Sequence, residues 1–283
     1  MNNWFLTFKR AIYPLYEFVH YRKIIWRNKV KRSFNKKTDN TFLFILCPPF
    51  SGSTLLHELL STSSSVSPNN TLGTREGQQL PKVRKLMWEK EDHYNLKEKY
   101  DWDLIKNEWL KYWDVTKPIL LEKSPPHIAR IQEIKKYFKP SYFICMVRDP
   151  YAQCESIIRR NGADYDVEEA ARFVIRCLYF QKDNIEKLDN ILFFSYEELT
   201  TNPASISQKL KLFLPLLSDI NISGIFKAHN CRQENLPITN LNAEKIKQLD
   251  TVQLEAINSV FEKHMEILYY FNYKLIEPAD IQS

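Results

Sequence analysis

Short apolar runs that alternate with helical patterns dominate this chain. Four runs have apolar side chains at almost every position: Phe42–Cys47, Pro118–Glu122, Tyr142–Val147 and Ile191–Ser195. Continuously apolar strands are typical of a parallel sheet that helices cover on both faces. Strands separated by longer helical segments also imply crossover connections rather than hairpins. The pattern therefore predicts an α/β fold with a parallel sheet flanked by helices.

Apolar residues at helical spacing lie between and after these runs. We predict helices over Ser53–Ser61, Leu80–Lys90, Trp102–Trp113, Pro126–Tyr137, Tyr151–Arg160, Val167–Leu188, Pro203–Leu214 and Ala243–Phe271. The segment Ile222–Asn242 is polar and rich in turn residues, which is typical of a loop that covers a ligand. The 283 residues suffice for one large domain.

Basic residues are concentrated in residues 1–40. This segment holds ten Lys and Arg against Glu17 and Asp39, a net charge of about +8, whereas the whole chain carries +6. Aromatic side chains are interleaved with the cations. Two interpretations of the segment remain open, namely an arm on an anionic membrane surface and a helical arm packed on the domain with its basic face in water. We expect a basic N-terminal helical arm over 1–40 and a single α/β domain over 41–283.

The cysteines indicate the compartment. Five cysteines, an odd number, are widely spaced, and no Cys/His spacing suggests zinc. No run reaches the roughly 18 apolar residues of a membrane-spanning helix, and the first residues lack the pattern of a signal peptide. We expect a cytoplasmic protein in a reducing environment, with no metal and no nucleic-acid partner.

The first segment that suggests chemistry is Thr41–Leu56, with the sequence TFLFILCPPFSGSTLL. An apolar strand, a Gly-containing turn and a hydroxyl-rich helix start together favour anion binding, because first-turn N–H groups have no intrahelical partners. The first Gly and the Lys of a nucleoside-triphosphate loop are both missing. The segment therefore indicates a P-loop-like phosphate or sulfate site. The alternative is an ordinary strand–turn–helix with a Ser cap.

The second segment is Tyr142–Ser156, with the sequence YFICMVRDPYAQCES. Arg148 follows a strand, at the edge where open α/β sheets bind ligands, and Ser156 lies within two helical turns of it. A guanidinium with a nearby hydroxyl suits a phosphate monoester. The alternative is a structural pair between Arg148 and Asp149.

Together, the two segments resemble the sulfotransferases that use 3′-phosphoadenosine 5′-phosphosulfate (PAPS), most closely the tyrosylprotein and bacterial branch. The first is similar to the 5′-phosphosulfate loop of that family, and the second to its 3′-phosphate segment. Three further segments are similar to those that hold the catalytic glutamate, the strand-end lysine and the adenine-facing tyrosine: Arg75–Pro81, Glu122–Pro125 and Phe194–Leu199. The resemblance covers roughly residues 41–203.

The resemblance implies a role for each matched residue. It implies transfer of a sulfuryl group from PAPS to a hydroxyl or amine of a small-molecule acceptor, with Glu76 as general base and Lys123 beside the leaving oxygen. On the substrate side we place Arg75 and His229. The residues expected to bind PAPS are Phe50, Ser51, Gly52, Ser53, Thr54, Leu55, Arg148, Ser156 and Tyr196.

One position departs from the family pattern. Phe50 occupies the place where the family usually has Lys or Arg before the Ser-Gly pair. Either Lys123, Arg75 or a residue of 222–242 supplies the cation, or catalysis is weakened. An Arg-Lys-Gly segment near the end of the chain is also missing, and Arg232 is the candidate to replace it. A non-catalytic PAPS-binding pseudoenzyme and a kinase-like phosphotransferase are the alternative functions, although the missing loop lysine opposes the kinase.

Overall fold

A five-stranded parallel sheet forms the centre of the protein. The structure, a computed structural model, describes residues 3–35, 38–89, 93–162, 164–229 and 234–277, and the side chains of these except 3–12, 228, 229 and 234. The strands are β1 (Thr41–Leu46), β2 (Val66–Pro68), β3 (Ile119–Lys123), β4 (Ser141–Val147) and β5 (Ile191–Ser195). Their order across the sheet is β2-β3-β1-β4-β5, and every pairing is parallel. The predicted fold class is confirmed.

Twelve α-helices and one hairpin surround or extend this sheet in the described part of the chain. The helices are α1 (Asn3–Phe34), α2 (Ser53–Leu60), α3 (Val83–Leu86), α4 (Trp102–Tyr112), α5 (Ile131–Tyr137), α6 (Pro150–Asn161), α7 (Val167–Lys187), α8 (Tyr196–Thr201), α9 (Pro203–Phe213), α10 (Asn242–Ile246), α11 (Thr251–Phe261) and α12 (Met265–Tyr270). The hairpin pairs β6 (Phe226–His229) with β7 (Glu234–Leu236). It lies within the segment that the sequence predicts as a loop.

The central strand is buried on both faces. Phe42, Phe44 and Leu46 of β1 belong to an aromatic cluster under α4, whereas Leu43 and Ile45 belong to the cluster under α2 and α9. Successive side chains of a strand point to opposite faces, so a strand covered on both sides is apolar at every position. Each large apolar side chain that is fully buried contributes about 1.5–3 kcal/mol.

Three predicted helices are wrong in extent. The helix predicted over 126–137 begins only at Ile131, because Pro125–Ala129 form a 3₁₀ helix and Arg130 leaves helical geometry. The helix predicted over 80–90 is reduced to the single turn α3, and the residue before it, Lys82, has a φ of 68° that no helix accommodates. The helix predicted over 243–271 is broken, because Asp250 caps α11 by accepting from the N–H of Gln253 at 2.8 Å. Local capping chemistry outweighs an apolar period that runs across the break.

One face of α1 lies against the domain. Tyr21 is buried and donates its hydroxyl to Asn70 Oδ1 at 3.0 Å. Asn28 Nδ2 donates to the carbonyl of Tyr112 at 2.7 Å, and Lys31 forms a salt bridge with Asp114. Within the described chain, none of the helices is long and apolar enough to cross a membrane.

Candidate functional site

The loop between β1 and α2 is folded tightly against the carboxyl edge of the sheet. Phe50 and Gly52 have φ values of 63° and 87°, in the left-handed region. A Cβ on Gly52 would lie 2.6 Å from Cδ2 of Tyr196, so only glycine fits between the loop and this ring. The close packing fixes the turn that leads into α2.

In the described part of the chain, no side chain caps the first turn of α2. No side chain accepts a hydrogen bond at its N-cap, Gly52. Ser51 is fully buried, and its Oγ has no hydrogen-bond partner among the described residues. Unpaired N–H groups and a buried hydroxyl without a partner favour an anion at this point. The Ser cap of the alternative interpretation is therefore not found here.

Arg148 lies beside this loop. It follows β4, is 5% exposed, and donates from Nη1 to the carbonyl of Phe50 at 3.1 Å and from Nε to Asn242 Oδ1 at 2.7 Å. Its guanidinium lies 4.2 Å from the ring centroid of Tyr196. Nη2 has no hydrogen-bond partner in the described part of the chain. The loop and Arg148 are thus close enough to contact one anionic molecule.

Asp149 has a separate, structural role. Its carboxylate accepts from the N–H groups of Tyr151 and Ala152 at 2.9 and 3.1 Å and so caps α6. Burial raises the pKa of Asp149 to about 6, and the nearby charge of Glu197 acts in the same direction. The alternative in which Arg148 and Asp149 form a structural pair is not supported, because the guanidinium hydrogen-bonds to Asn242 and Phe50 instead.

A second cation, which the sequence analysis missed, lies at Ser156. Lys245 of α10 is 9% exposed and donates to Ser156 Oγ at 2.6 Å and to Glu155 Oε2 at 3.0 Å. Burial lowers the pKa of Lys245, and the hydrogen bond with Glu155 opposes that effect. No motif surrounds Lys245, so only the packing of α10 on α6 reveals it. Arg232, the predicted replacement, lies outside the described residues.

Glu76 and Lys123 form a buried pair at the carboxyl end of β3. Lys123 Nζ lies 3.3 Å from Glu76 Oε1, and Glu76 Oε2 accepts from Gln78 Nε2 at 2.6 Å. The side chains of Glu76 and Lys123 are 10% and 2% exposed. The structure thus brings together the predicted base and the predicted cation.

Glu122 holds the segment that carries Glu76. Its Oε1 accepts from the N–H of Gly77 at 2.9 Å and from Ser124 Oγ at 2.7 Å, and its other oxygen pairs with His127. A Cβ on Gly77 would lie 2.4 Å from Glu122 Oε1, so a larger residue would displace the segment. The indole of Trp109 also donates to the carbonyl of Gly77, at 3.1 Å.

The next three predicted residues are Arg75, Phe50 and His229. Arg75 has a φ of 61°, forms a salt bridge with Glu58 and donates to the carbonyl of Gly73 at 2.5 Å. Phe50 is 39% exposed. His229 lies on β6, and its side chain is outside the described residues.

Tyr196 and His57 are both buried beside the loop. Tyr196 is 2% exposed, donates its hydroxyl to the carbonyl of Thr239 at 2.9 Å, and supports Gly52 and Arg148. Its contact with adenine stays a prediction. Neither ring nitrogen of His57 has a hydrogen-bond partner among the described residues. Burial lowers the pKa of His57 well below 6.5, and the charges of Lys123 and Arg75 add to this effect.

A comparison with known proteins identifies a family that the chain matches. Residues 43–216, more than half of the chain, match the family model described as the sulfotransferase family. The matched range includes the β1–α2 loop, Glu76, Lys123, Arg148 and Tyr196. A search of curated proteins finds no significant match.

Solved structures of sulfotransferases are similar to the chain. The sulfotransferase domain of the olefin synthase from Synechococcus PCC 7002 is 20% identical over 86% of this chain and 98% of its own, with a TM-score of 0.54. The sulfotransferase domain from the curacin biosynthetic pathway is 18% identical over 84% of this chain and 100% of that chain, with a TM-score of 0.49. A mouse sulfotransferase was solved in complex with PAP (adenosine 3′,5′-bisphosphate). It is 13% identical over 83% of this chain and 88% of its own, with a TM-score of 0.45. The family match, supported by a parallel sheet of the same architecture, shows that the chain belongs to the sulfotransferase family.

Proposed function

We propose that the protein transfers a sulfuryl group from PAPS to a hydroxyl or amine of a small-molecule acceptor. The main observation in support is that an uncapped helix start, a buried arginine and a buried Glu–Lys pair all lie at one edge of the sheet. Arg148 Nη1 lies 3.1 Å from the Phe50 carbonyl of the loop, so a single nucleotide can contact both. These contacts support PAPS as the donor and the residue roles proposed below.

The donor fits the groups on both sides of the loop. The first N–H groups of α2 and the hydroxyls of Ser51, Ser53 and Thr54 would hold the 5′-phosphosulfate. Arg148 Nη2, which lacks a partner among the described residues, and the Ser156–Lys245 pair would hold the 3′-phosphate. A buried cation in this position costs less when an anion binds beside it. The structure thus supports a doubly anionic adenosine nucleotide.

The acceptor would meet Glu76. Its carboxylate would take the proton of the attacking hydroxyl or amine, a contribution of roughly 10²–10⁴ in rate. Bound PAPS supplies the sulfuryl group, whose bond to the phosphate oxygen breaks as the bond to the acceptor forms, and adenosine 3′,5′-bisphosphate (PAP) is the second product. Lys123 would face the negative charge that grows on that phosphate oxygen.

Lys123 is also the best replacement for the cation missing at Phe50. Loss of one charge-assisted hydrogen bond to the phosphosulfate would cost about 1.5–3 kcal/mol of binding free energy. Another cation close to the loop must therefore take its place. Lys123 is buried at the end of the strand next to β1, in register with Ile45. Arg75 is instead held by Glu58 and Gly73.

The small-molecule acceptor and the cytoplasmic location rest on the thiols. Cys47, Cys145, Cys154 and Cys177 are all free and buried. Free cysteines are typical of a reducing compartment, whereas secreted and lumenal proteins usually pair them. We therefore place the protein in the cytoplasm, where soluble hydroxyl- and amine-bearing metabolites are the available acceptors.

A transfer assay tests the proposal. Radiolabelled PAPS is incubated with the full chain and a panel of phenols, aliphatic alcohols and amines, and PAP and ATP binding are measured by calorimetry. We expect label transfer to at least one acceptor class and a clear preference for PAP. Because Phe50 replaces a family cation, a PAPS-binding pseudoenzyme is the second candidate. Tight PAP binding without transfer to any acceptor would favour it, and a preference for ATP would contradict both.

A further inference from the structure

The face of α1 that points away from the domain is apolar. Leu15, Phe18, Val19 and Trp26 are between 55% and 67% exposed. Their spacing of three, four and seven residues places them on one side of the helix. Four large apolar side chains side by side in water are unfavourable, and such a patch marks a docking surface.

Cations border this face. Arg22, Lys23, Arg27 and Lys29 are exposed on the same helix, and the Arg22 guanidinium lies 5.2 Å from the ring centroid of Phe18. Glu17 is the single acid in the sequence of α1, and it forms a salt bridge with Arg84 at 3.2 Å. The exposed face is therefore apolar and positively charged, with no exposed acid among its described side chains.

The domain fixes which face of α1 points outward. Tyr21 and Asn28, seven residues apart, are buried by contacts with Asn70 and Tyr112. Lys31 adds a salt bridge with Asp114 on the same side. The helix is thus already formed and oriented, so docking incurs little ordering cost.

We propose that this face of α1, which we call the basic aromatic face (Leu15, Phe18, Val19, Arg22, Trp26 and the bordering cations), binds an anionic phospholipid surface. A helix that has apolar and aromatic side chains flanked by Lys and Arg lies in the interfacial plane of a bilayer. Each cation strengthens binding to anionic lipid about fivefold at low salt. A second copy of this chain is disfavoured, because it would bring two positive faces together.

Vesicle binding by the full chain tests this assignment. Phosphatidylcholine vesicles, with and without 30% phosphatidylserine, are sedimented with the protein at low and high salt. We expect at least tenfold tighter binding to the anionic vesicles, falling as salt rises. Equal binding to both vesicle types, or to neither, would overturn the proposal.

Paired variants locate the surface. Arg22→Gln with Arg27→Gln should weaken anionic-vesicle binding about 25-fold, and Phe18→Gln with Trp26→Gln at least tenfold. The matched control is Lys211→Gln with Leu212→Gln on α9, since both are exposed and Leu212 is 84% exposed. Unchanged PAP affinity and melting temperature show that each variant is folded.

Two results would assign the face elsewhere. If the control pair weakens vesicle binding as much as the α1 pairs, the interaction does not use this face. If sedimentation velocity instead shows a dimer that Phe18→Gln with Trp26→Gln dissociates, and the wild type ignores anionic vesicles, the occupant is a second copy.

Discussion

The two ends of the candidate site are held by different kinds of structure. Around Arg148, the side chains come from a strand end and two helices, and Asn242 and Lys245 cross-link them. Around Glu76, the chain is an irregular loop after a three-residue strand, and it is held by Asn70, Glu122 and Trp109. The first end is built on regular elements that long-range contacts join, whereas the second is an irregular loop that long-range contacts hold in place.

The difference has a functional meaning for a transferase. In the proposed reaction the donor nucleotide is the same in every turnover, so a site built on regular elements is suited to it. Loops accept sequence change more readily than strands and helices, so a loop is suited to contact an acceptor that can differ from one enzyme to another. The Glu76 loop is therefore the place where acceptor specificity would be set.

We expect the largest effect from replacing Glu76, the proposed base, at the end of the site that would bind the acceptor. Glu76→Gln should lower kcat at least a hundredfold, because the amide cannot take the acceptor proton. PAP affinity should stay within about twofold of wild type, since the donor groups are untouched. The measurement is single-turnover transfer from PAPS, alongside calorimetry with PAP.

A surface substitution of the same chemistry serves as its control. Glu255→Gln on α11 changes an exposed carboxylate and should leave kcat unchanged. A Glu76→Gln enzyme with wild-type turnover would remove Glu76 from the mechanism, and a parallel loss of PAP affinity would show that Glu76 only supports the loop.

The second substitution tests the donor end. Arg148→Ala should weaken PAP binding by roughly 2–5 kcal/mol, because a buried hydrogen-bonded cation is lost. AMP, which lacks the 3′-phosphate, should lose much less affinity. Arg172→Ala on α7 removes an exposed arginine and should change neither value.

Comparison of the two nucleotides separates two roles of Arg148. Its Nη1 also donates to the Phe50 carbonyl, so the residue supports the loop. An equal loss of PAP and AMP affinity would mean that this support is its main role and would contradict the 3′-phosphate assignment.

The donor end was largely predictable from the sequence. The strand patterns are strongest in β1 and β3, which are buried on both faces, and ligand groups follow at the strand ends. Gly52 and Arg148 therefore stand in recognisable surroundings. Lys245 could not be found in this way, because it reaches Ser156 only through the packing of a short helix that lies 89 residues later in the sequence.

The acceptor end was predictable only as a motif. Its resemblance to the family identified Glu76, but no local pattern shows how the loop is held. Gly77 is bound by Trp109, 32 residues away, and Asn70 by Tyr21, 49 residues away. Contacts of this kind depend on tertiary packing, which apolar periodicity does not encode.

We expect the smallest effect from removing a contact between α1 and the loop that carries Glu76. This change separates the two ends of the site most clearly. Tyr21 donates to Asn70 Oδ1 at 3.0 Å, and Asn70 Nδ2 donates to the carbonyl of Glu76 at 2.8 Å. Tyr21→Phe removes one buried hydrogen bond, worth about 1 kcal/mol, without opening a cavity. We expect kcat to fall about fivefold while PAP affinity stays unchanged, because only the Glu76 end loosens. Tyr16→Phe, at a position 53% exposed on the same helix, should change neither quantity. If Tyr21→Phe weakens PAP binding as much as turnover, the two ends are mechanically coupled and the distinction between them is wrong.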